Sequence, residues 1–201
     1  MCNTYIVKPR KGVAGWQAGV SANIAKLKSS LVRKSDPGLV ALAEDGAIRS
    51  EIMRWGFLRP FNPAINNSRS DKLESGMWKD AYQERRCLIP VSSYFEWCAG
   101  TGGKKQANAI TGKTDEWLWI AGIWEHHPEH GPCYSMVTTA AAPSVAHIHD
   151  RMPAVLVWAD AQQYLAGHAF QFFPFAGPLV VKPCESPLIK TPPKPEQSSF
   201  F

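Results

Sequence analysis

The chain has 201 residues, 45% of them hydrophobic and 19% charged, the balance of an ordinary soluble globular domain rather than a disordered polymer. That length suits one substantial core, and no apolar run approaches the ~18–20 residues a membrane-spanning helix needs. Lys and Arg outnumber Asp and Glu by 22 to 17, giving a net charge of +5 and a pI near 9.0, which permits a polyanionic partner without demonstrating one.

The opening segment, MCNTYIVKPRKG, lacks the apolar stretch of a secretory signal, so an intracellular, cytoplasmic protein is expected, nucleoid-associated in a bacterium. Ser21–Leu31 places Ile24, Leu27 and Leu31 on one side of an expected helix. Glu51–Leu58 mixes aromatic, apolar and polar residues as a strand does. Ser70–Arg86 follows with Leu73, Met77, Ala81 and Tyr82 on one helical face and Ser70 or Asp71 available as a cap. Arg86–Trp97 reads as a strand around a proline, and Trp117–Trp124, Tyr134–Thr139 and Ala154–Trp158 read as central strands. Their connections are too short for long helices, so they should pair antiparallel, with EHHPEHGPC as a hairpin loop. Asp160–Ala166 is an expected helix with Asp160 as N-cap and Gly167 as stop. The expected class is α+β: one domain over residues 1–190 and a Pro/Ser-rich tail, Thr191–Phe201.

Cys2, Cys87, Cys98, Cys133 and Cys184 are odd in number, widely spaced and contain no C-x-x-C pair, which argues against a disulfide framework and a cysteine-rich zinc site. His126, His127 and His130 have a ligand-like spacing, but they fall in the expected hairpin loop, and no metal or other cofactor is expected.

Cys2 differs from the other cysteines. Met1 is removed readily before a small residue, and the mature chain then carries a free α-amine beside a thiol. Such an amine, with an ordinary pKa of about 7.7–8.0, is partly neutral near pH 7 and attacks aldehydes to give an imine. The thiol can then close on the imine carbon as a five-membered thiazolidine. Three further segments supply polar groups. Ile65–Asp71 offers Asn67 and Arg69, the latter with a donor fork suited to phosphate. Tyr94–Trp97 places Glu96 among aromatics, where a raised pKa is expected. Ala146–Pro153 sets His149, Asp150 and Arg151 in a row.

In order along the chain, MCN, Asn67-Ser68-Arg69-Ser70-Asp71, Phe95-Glu96-Trp97, and the TTAA that precedes HDRMP resemble the signatures of the SOS-response-associated peptidase (SRAP) family. WGF at Trp55–Phe57, CLIP at Cys87–Pro90 and AGIW at Ala121–Trp124 also fit, and the likeness runs from Met1 to about Pro178. It implies a curved, mainly antiparallel sheet approaching a barrel, flanked by helices, with a channel for single-stranded DNA. It implies covalent capture of abasic sites by Cys2, with Asn67 orienting the N-terminus and Glu96 and His149 moving protons. Arg69 and Arg151 would hold phosphates, and Phe61 would be a base-stacking wedge. The chain departs from the family in reading MCNT where many members read MCGR, so an arginine is replaced by Thr4. The usual Y-N-x-x-P segment reduces to Arg33–Pro37, with Pro37 the secure match. A monomer is expected, since one reactive terminus needs no symmetry. The competing expectations are a thiol (auto)peptidase using Cys2 and a noncatalytic single-strand-binding module.

Overall fold

Strand β1 (Thr4–Ile6) begins two residues after Cys2, and helix α1 (Gly15–Ile24) follows it in the computed structural model, which describes residues 1–10 and 15–188. Strands β2 (Leu31–Arg33), β3 (Pro37–Glu44) and β4 (Ala47–Trp55) come next; Asp45 and Gly46 turn β3 into β4 with positive φ of 50° and 76°. A short hairpin, β5 (Phe57–Arg59) and β6 (Asn62–Ile65), leads into β7 (Asn67–Arg69) and then helix α2 (Lys79–Glu84). Strands β8 (Arg86–Val91), β9 (Ser93–Ala99), β10 (Lys105–Gly112), β11 (Leu118–His127) and β12 (Gly131–Ala140) form the middle of the chain. It finishes with α3 (Pro143–Ala146), β13 (Arg151–Pro153), β14 (Val155–Leu156), α4 (Trp158–Leu165) and β15 (Leu179–Cys184).

Five strands close a ring in the order β12-β4-β3-β8-β11 and back to β12. A ring with an odd number of strands cannot alternate direction all the way round, so one pair must run parallel. That pair is β4 with β12, Cys133 opposite Arg54 and Tyr134 opposite Trp55; the other four pairings are antiparallel. A second sheet, β15-β10-β9-β1-β2, is antiparallel throughout. The class is α+β with mainly antiparallel strands, as the sequence led one to expect.

Large aromatics fill the space between the sheets. Tyr5 packs edge-on against Trp55 at 5.0 Å between ring centroids, and Trp55 stacks on Tyr134 at 6.3 Å. The Tyr5 and Tyr134 hydroxyls share a hydrogen bond of 2.5 Å, and Trp55 Nε1 donates to the Asn66 carbonyl at 2.9 Å. The strand after Cys2 is thereby bonded to the barrel wall, and the wall to the segment entering β7. Gly38 lies against both hydroxyls, and a Cβ there would collide with each.

The structure redraws several expected elements. Gly56, at φ 126°, ends the expected strand Glu51–Leu58 after Trp55, because few side chains tolerate that conformation. The expected helix Ser70–Arg86 breaks at Gly76, φ 57°, into two 3-10 turns and α2, and neither Ser70 nor Asp71 caps it, since Arg69 holds the N-cap position. The helix expected over Ser21–Leu31 ends at Ile24, and Leu31 pairs with Ile6 in β2 instead. Arg86–Trp97 is two strands in different sheets, parted at Ser92. Trp158 begins α4 rather than ending a strand, and Val157, not Asp160, is its N-cap. The hairpin loop is Pro128–His130, with β11 and β12 antiparallel as expected. The tail from Thr191 and the domain limit at 190 lie outside the described residues. No helix among the described residues is long and apolar enough to cross a membrane.

Candidate functional site

Strand β12 explains how residues distant in sequence converge. Its first half belongs to the barrel, while its second half, Met136–Ala140, is flanked by β7 on one side and β13 on the other. Register sets Asn67 opposite Met136, Arg69 opposite Thr138 and Arg151 opposite Ala140. In the second sheet, β9 carries Glu96 beside β1, with Tyr5 opposite Tyr94. Cys2 lies where these two arrangements meet.

The Cys2 carbonyl accepts two side-chain amides, Asn67 Nδ2 at 2.8 Å and Asn66 Nδ2 at 3.1 Å. Asn66 is itself fixed, because its carbonyl accepts from Trp55 Nε1 and from the Met136 amide, each at 2.9 Å. Its Nδ2 also reaches Asn3 Oδ1 at 3.0 Å. Cys2 is fully buried, its Sγ touching the Thr4 carbonyl at 3.4 Å. Burial first, and the Glu96 charge second, push the thiol up to about 12, so it is a neutral thiol at physiological pH.

With Met1 present, its ammonium donates to His149 Nε2 at 2.6 Å and lies 3.4 Å from Glu96 Oε2. Since Nε2 accepts, the ring proton sits on Nδ1, where Asp150 Oδ1 at 2.8 Å receives it; the opposite tautomer would take the Arg151 amide at 3.0 Å. Each tautomer of His149 thus finds a partner. Burial lowers its pKa, assisted by the ammonium.

Glu96 is 2% exposed, and its Oε1 has no hydrogen-bond partner among the described residues. Burial lifts its carboxyl to about 7 against the opposing pull of the ammonium. A carboxyl poised there can both give and take a proton near neutrality.

Outside this centre, Arg69 forms a bidentate pair with Asp71, at 3.0 Å from Nε and 2.9 Å from Nη2. Arg151 reaches the same carboxylate at 3.8 Å and anchors on Thr138. Two guanidiniums therefore share one acid. An open pocket of about 530 Å³ joins Met1, His149, Arg69 and Arg151 with Lys34 and Asn62. Phe61, next to Asn62 in the β5–β6 turn, is 73% exposed.

The structure brings Cys2, Asn67, Glu96 and His149 together, with Arg69 and Arg151 on the same pocket. Sequence reasoning missed Asn66, whose type and position gave nothing to separate it from Asn67, and also Lys34 and Asn62. Thr4 is fully buried, so the position that is arginine in many SRAP proteins offers no surface contact here. Among the described residues, no group of three or more His, Cys, Asp or Glu side chains is placed to hold a metal, the histidines of the β11–β12 hairpin included. All five cysteines are free.

Comparison with known proteins adds ancestry to this geometry. The family model described as SOS response associated peptidase (SRAP) matches residues 7–183. The abasic site processing protein YMR114C of Saccharomyces cerevisiae is 26% identical over 140 residues, covering 68% of this chain and 37% of the yeast protein. The abasic site processing protein YoqW of Bacillus subtilis is 28% identical over 124 residues, covering 56% of this chain and 55% of YoqW. The match thus spans from about a third to about half the length of these relatives. A crystal structure of a Bordetella bronchiseptica protein superposes with a TM-score of 0.72 at 18% identity, covering 92% of this chain and 100% of that one. One from Bacteroides thetaiotaomicron gives 0.67 at 18% identity, covering 85% and 83%. At such identity the structural likeness establishes the fold.

Proposed function

The chain belongs to the SOS response associated peptidase family, and from that premise we propose that, once Met1 is removed, it captures abasic sites in single-stranded DNA as a thiazolidine on Cys2. The observation that carries this reading is the seating of the N-terminus: two asparagine amides grip the Cys2 carbonyl while His149 and Glu96 face the Met1 nitrogen, one residue beyond Cys2.

The chemistry follows from the groups present. The neutral α-amine of mature Cys2 adds to the aldehyde of the ring-opened sugar. The protonated fraction of Glu96, substantial at a pKa of about 7, gives its proton to the departing hydroxyl, and water leaves. The cationic imine forms on the Cys2 nitrogen, one residue inward of the Met1 ammonium that Glu96 and His149 hold. The Cys2 sulfur adds to the imine carbon, its proton passes to the Glu96 carboxylate, and the C=N electron pair returns to nitrogen. One water is lost overall. The same imine is the species from which a lyase would eliminate, and ring closure diverts it.

Arg69 and Arg151 turn from Asp71 to the phosphates flanking the lesion. Phe61, exposed at the mouth, stacks on a neighbouring base. One chain holds every reacting group, which supports a monomer. Peptidase action by Cys2 is the less favoured reading, because a thiol nucleophile for peptides needs a depressed pKa, and this one is raised to about 12. Aldehyde capture begins at the amine and tolerates a neutral thiol.

The test is a denaturing gel of the processed protein with a single-stranded oligonucleotide carrying one abasic site. A heat-stable shifted band that requires both the abasic site and Cys2 supports the reading. Absence of a band from a chain verified to lack Met1 overturns it.

A further inference from the structure

Tyr94 lies on β9 two residues before Glu96, so both side chains leave the strand on one face. It stands opposite Tyr5 of β1, the strand that follows Cys2. The residue is fully buried, yet its hydroxyl has no hydrogen-bond partner among the described residues, a condition shared with Glu96 Oε1. Other buried tyrosines are satisfied: Tyr5 and Tyr134 bond to each other, and Tyr164 donates to the Gly122 carbonyl at 2.9 Å. A buried, unpartnered hydroxyl makes folding less favourable than phenylalanine would, so packing does not account for it.

Its surroundings do. Burial, and after it the nearby Cys2 sulfur and Glu96 carboxylate, hold the phenol protonated well beyond its ordinary range. A buried, unpartnered hydroxyl that stays protonated on the strand face it shares with Glu96 is free to donate a hydrogen bond when negative charge develops beside it.

We propose that Tyr94 is a positioning residue for aldehyde capture, its hydroxyl stabilising the negative charge that passes between the Cys2 sulfur and Glu96 during ring closure. The proposal rests on the aldehyde-capture reading. In that step the S–H bond breaks, the proton moves to the Glu96 carboxylate, the sulfur pair forms the C–S bond and the C=N pair returns to nitrogen. Tyr94 touches no substrate atom; it acts through Glu96 and the sulfur.

Tyr94→Phe tests this in the full chain, with loss of Met1 checked by intact mass. Three quantities are compared with wild type: the melting temperature, the pH dependence of Cys2 alkylation by iodoacetamide read on the N-terminal peptide, and the crosslinking rate with abasic single-stranded DNA. The melting temperature should rise by roughly 2–10 °C, since an unsatisfied buried group is removed. The alkylation midpoint should move to higher pH, and crosslinking should slow by about tenfold or more, the effect of one hydrogen bond to a charged group. A lower melting temperature would show that the fold itself uses the hydroxyl, and unchanged alkylation and crosslinking would remove its role; either outcome overturns the proposal. If wild type forms no adduct, aldehyde capture fails, and the alkylation midpoint alone decides whether the hydroxyl serves the sulfur.

Discussion

Replacing Glu96 with Gln should raise stability and abolish most activity, two effects of opposite sign from one carboxyl. The folded protein raises this group from 4.5 to about 7, mainly by burial. A raised carboxyl pKa means the folded state holds its proton more tightly than the unfolded state. Its contribution to stability is therefore fully present below about pH 4.5 and is lost as pH rises through about 7. At about 1.36 kcal/mol per pH unit, the loss is about 3 kcal/mol. Glu96→Gln cannot ionise, so its melting temperature should exceed that of wild type by roughly 5–10 °C at pH 8 more than at pH 4.5. Thermal melts of both proteins across that range measure the difference directly. In parallel, crosslinking should slow by about 10²–10⁴-fold, the usual share of a positioned acid–base group. Parallel pH–stability curves for the two proteins would refute the reasoning, since Glu96 would then titrate alike in both states.

Gly38→Ala should destabilise by about 1–3 kcal/mol, because its Cβ meets the Tyr5 and Tyr134 hydroxyls, and adding Tyr134→Phe should restore part of the loss in denaturant titrations. Asn66→Ala and Asn67→Ala each remove one donor from the Cys2 carbonyl and should slow crosslinking by about 3–10-fold, measured under single-turnover conditions. Arg69→Ala and Arg151→Ala should each reduce the slope of log affinity against log salt by about 0.7 for an undamaged single strand, which carries no aldehyde to react.

The strands were readable where apolar and β-branched residues cluster, as in Trp117–Trp124 and Tyr134–Thr139, because burial on both faces leaves a local imprint. Helix limits were less so. Gly56 takes a positive φ just past the end of β4 and Gly76 one at the start of the second 3-10 turn, and the residue type alone does not say whether a glycine will do so. Barrel closure was not readable at all, since the parallel pairing of β4 with β12 joins segments about eighty residues apart and leaves no local pattern. For the site, the ordered motifs pointed to Asn67, Glu96, His149, Arg69 and Arg151, and the fold gathers the first three at the N-terminus and sets the two arginines on the adjoining pocket. What they could not convey was the second amide on the Cys2 carbonyl, the carboxylate shared by Arg69 and Arg151, or the unpartnered Tyr94 hydroxyl. Those depend on side-chain direction across three strands, which spacing does not encode.

The central claim concerns the bond that forms at the N-terminus, and mass spectrometry of the N-terminal peptide reads it. Processed protein is incubated with an abasic single-stranded oligonucleotide, digested with nuclease and protease, and examined without any reducing agent. The account predicts a peptide beginning at Cys2 that carries the sugar with loss of one water, surviving heat, and absent from Cys2→Ser. An N-terminal peptide left unmodified beside an otherwise reactive abasic strand, or an adduct that Cys2→Ser forms with equal stability, would contradict it.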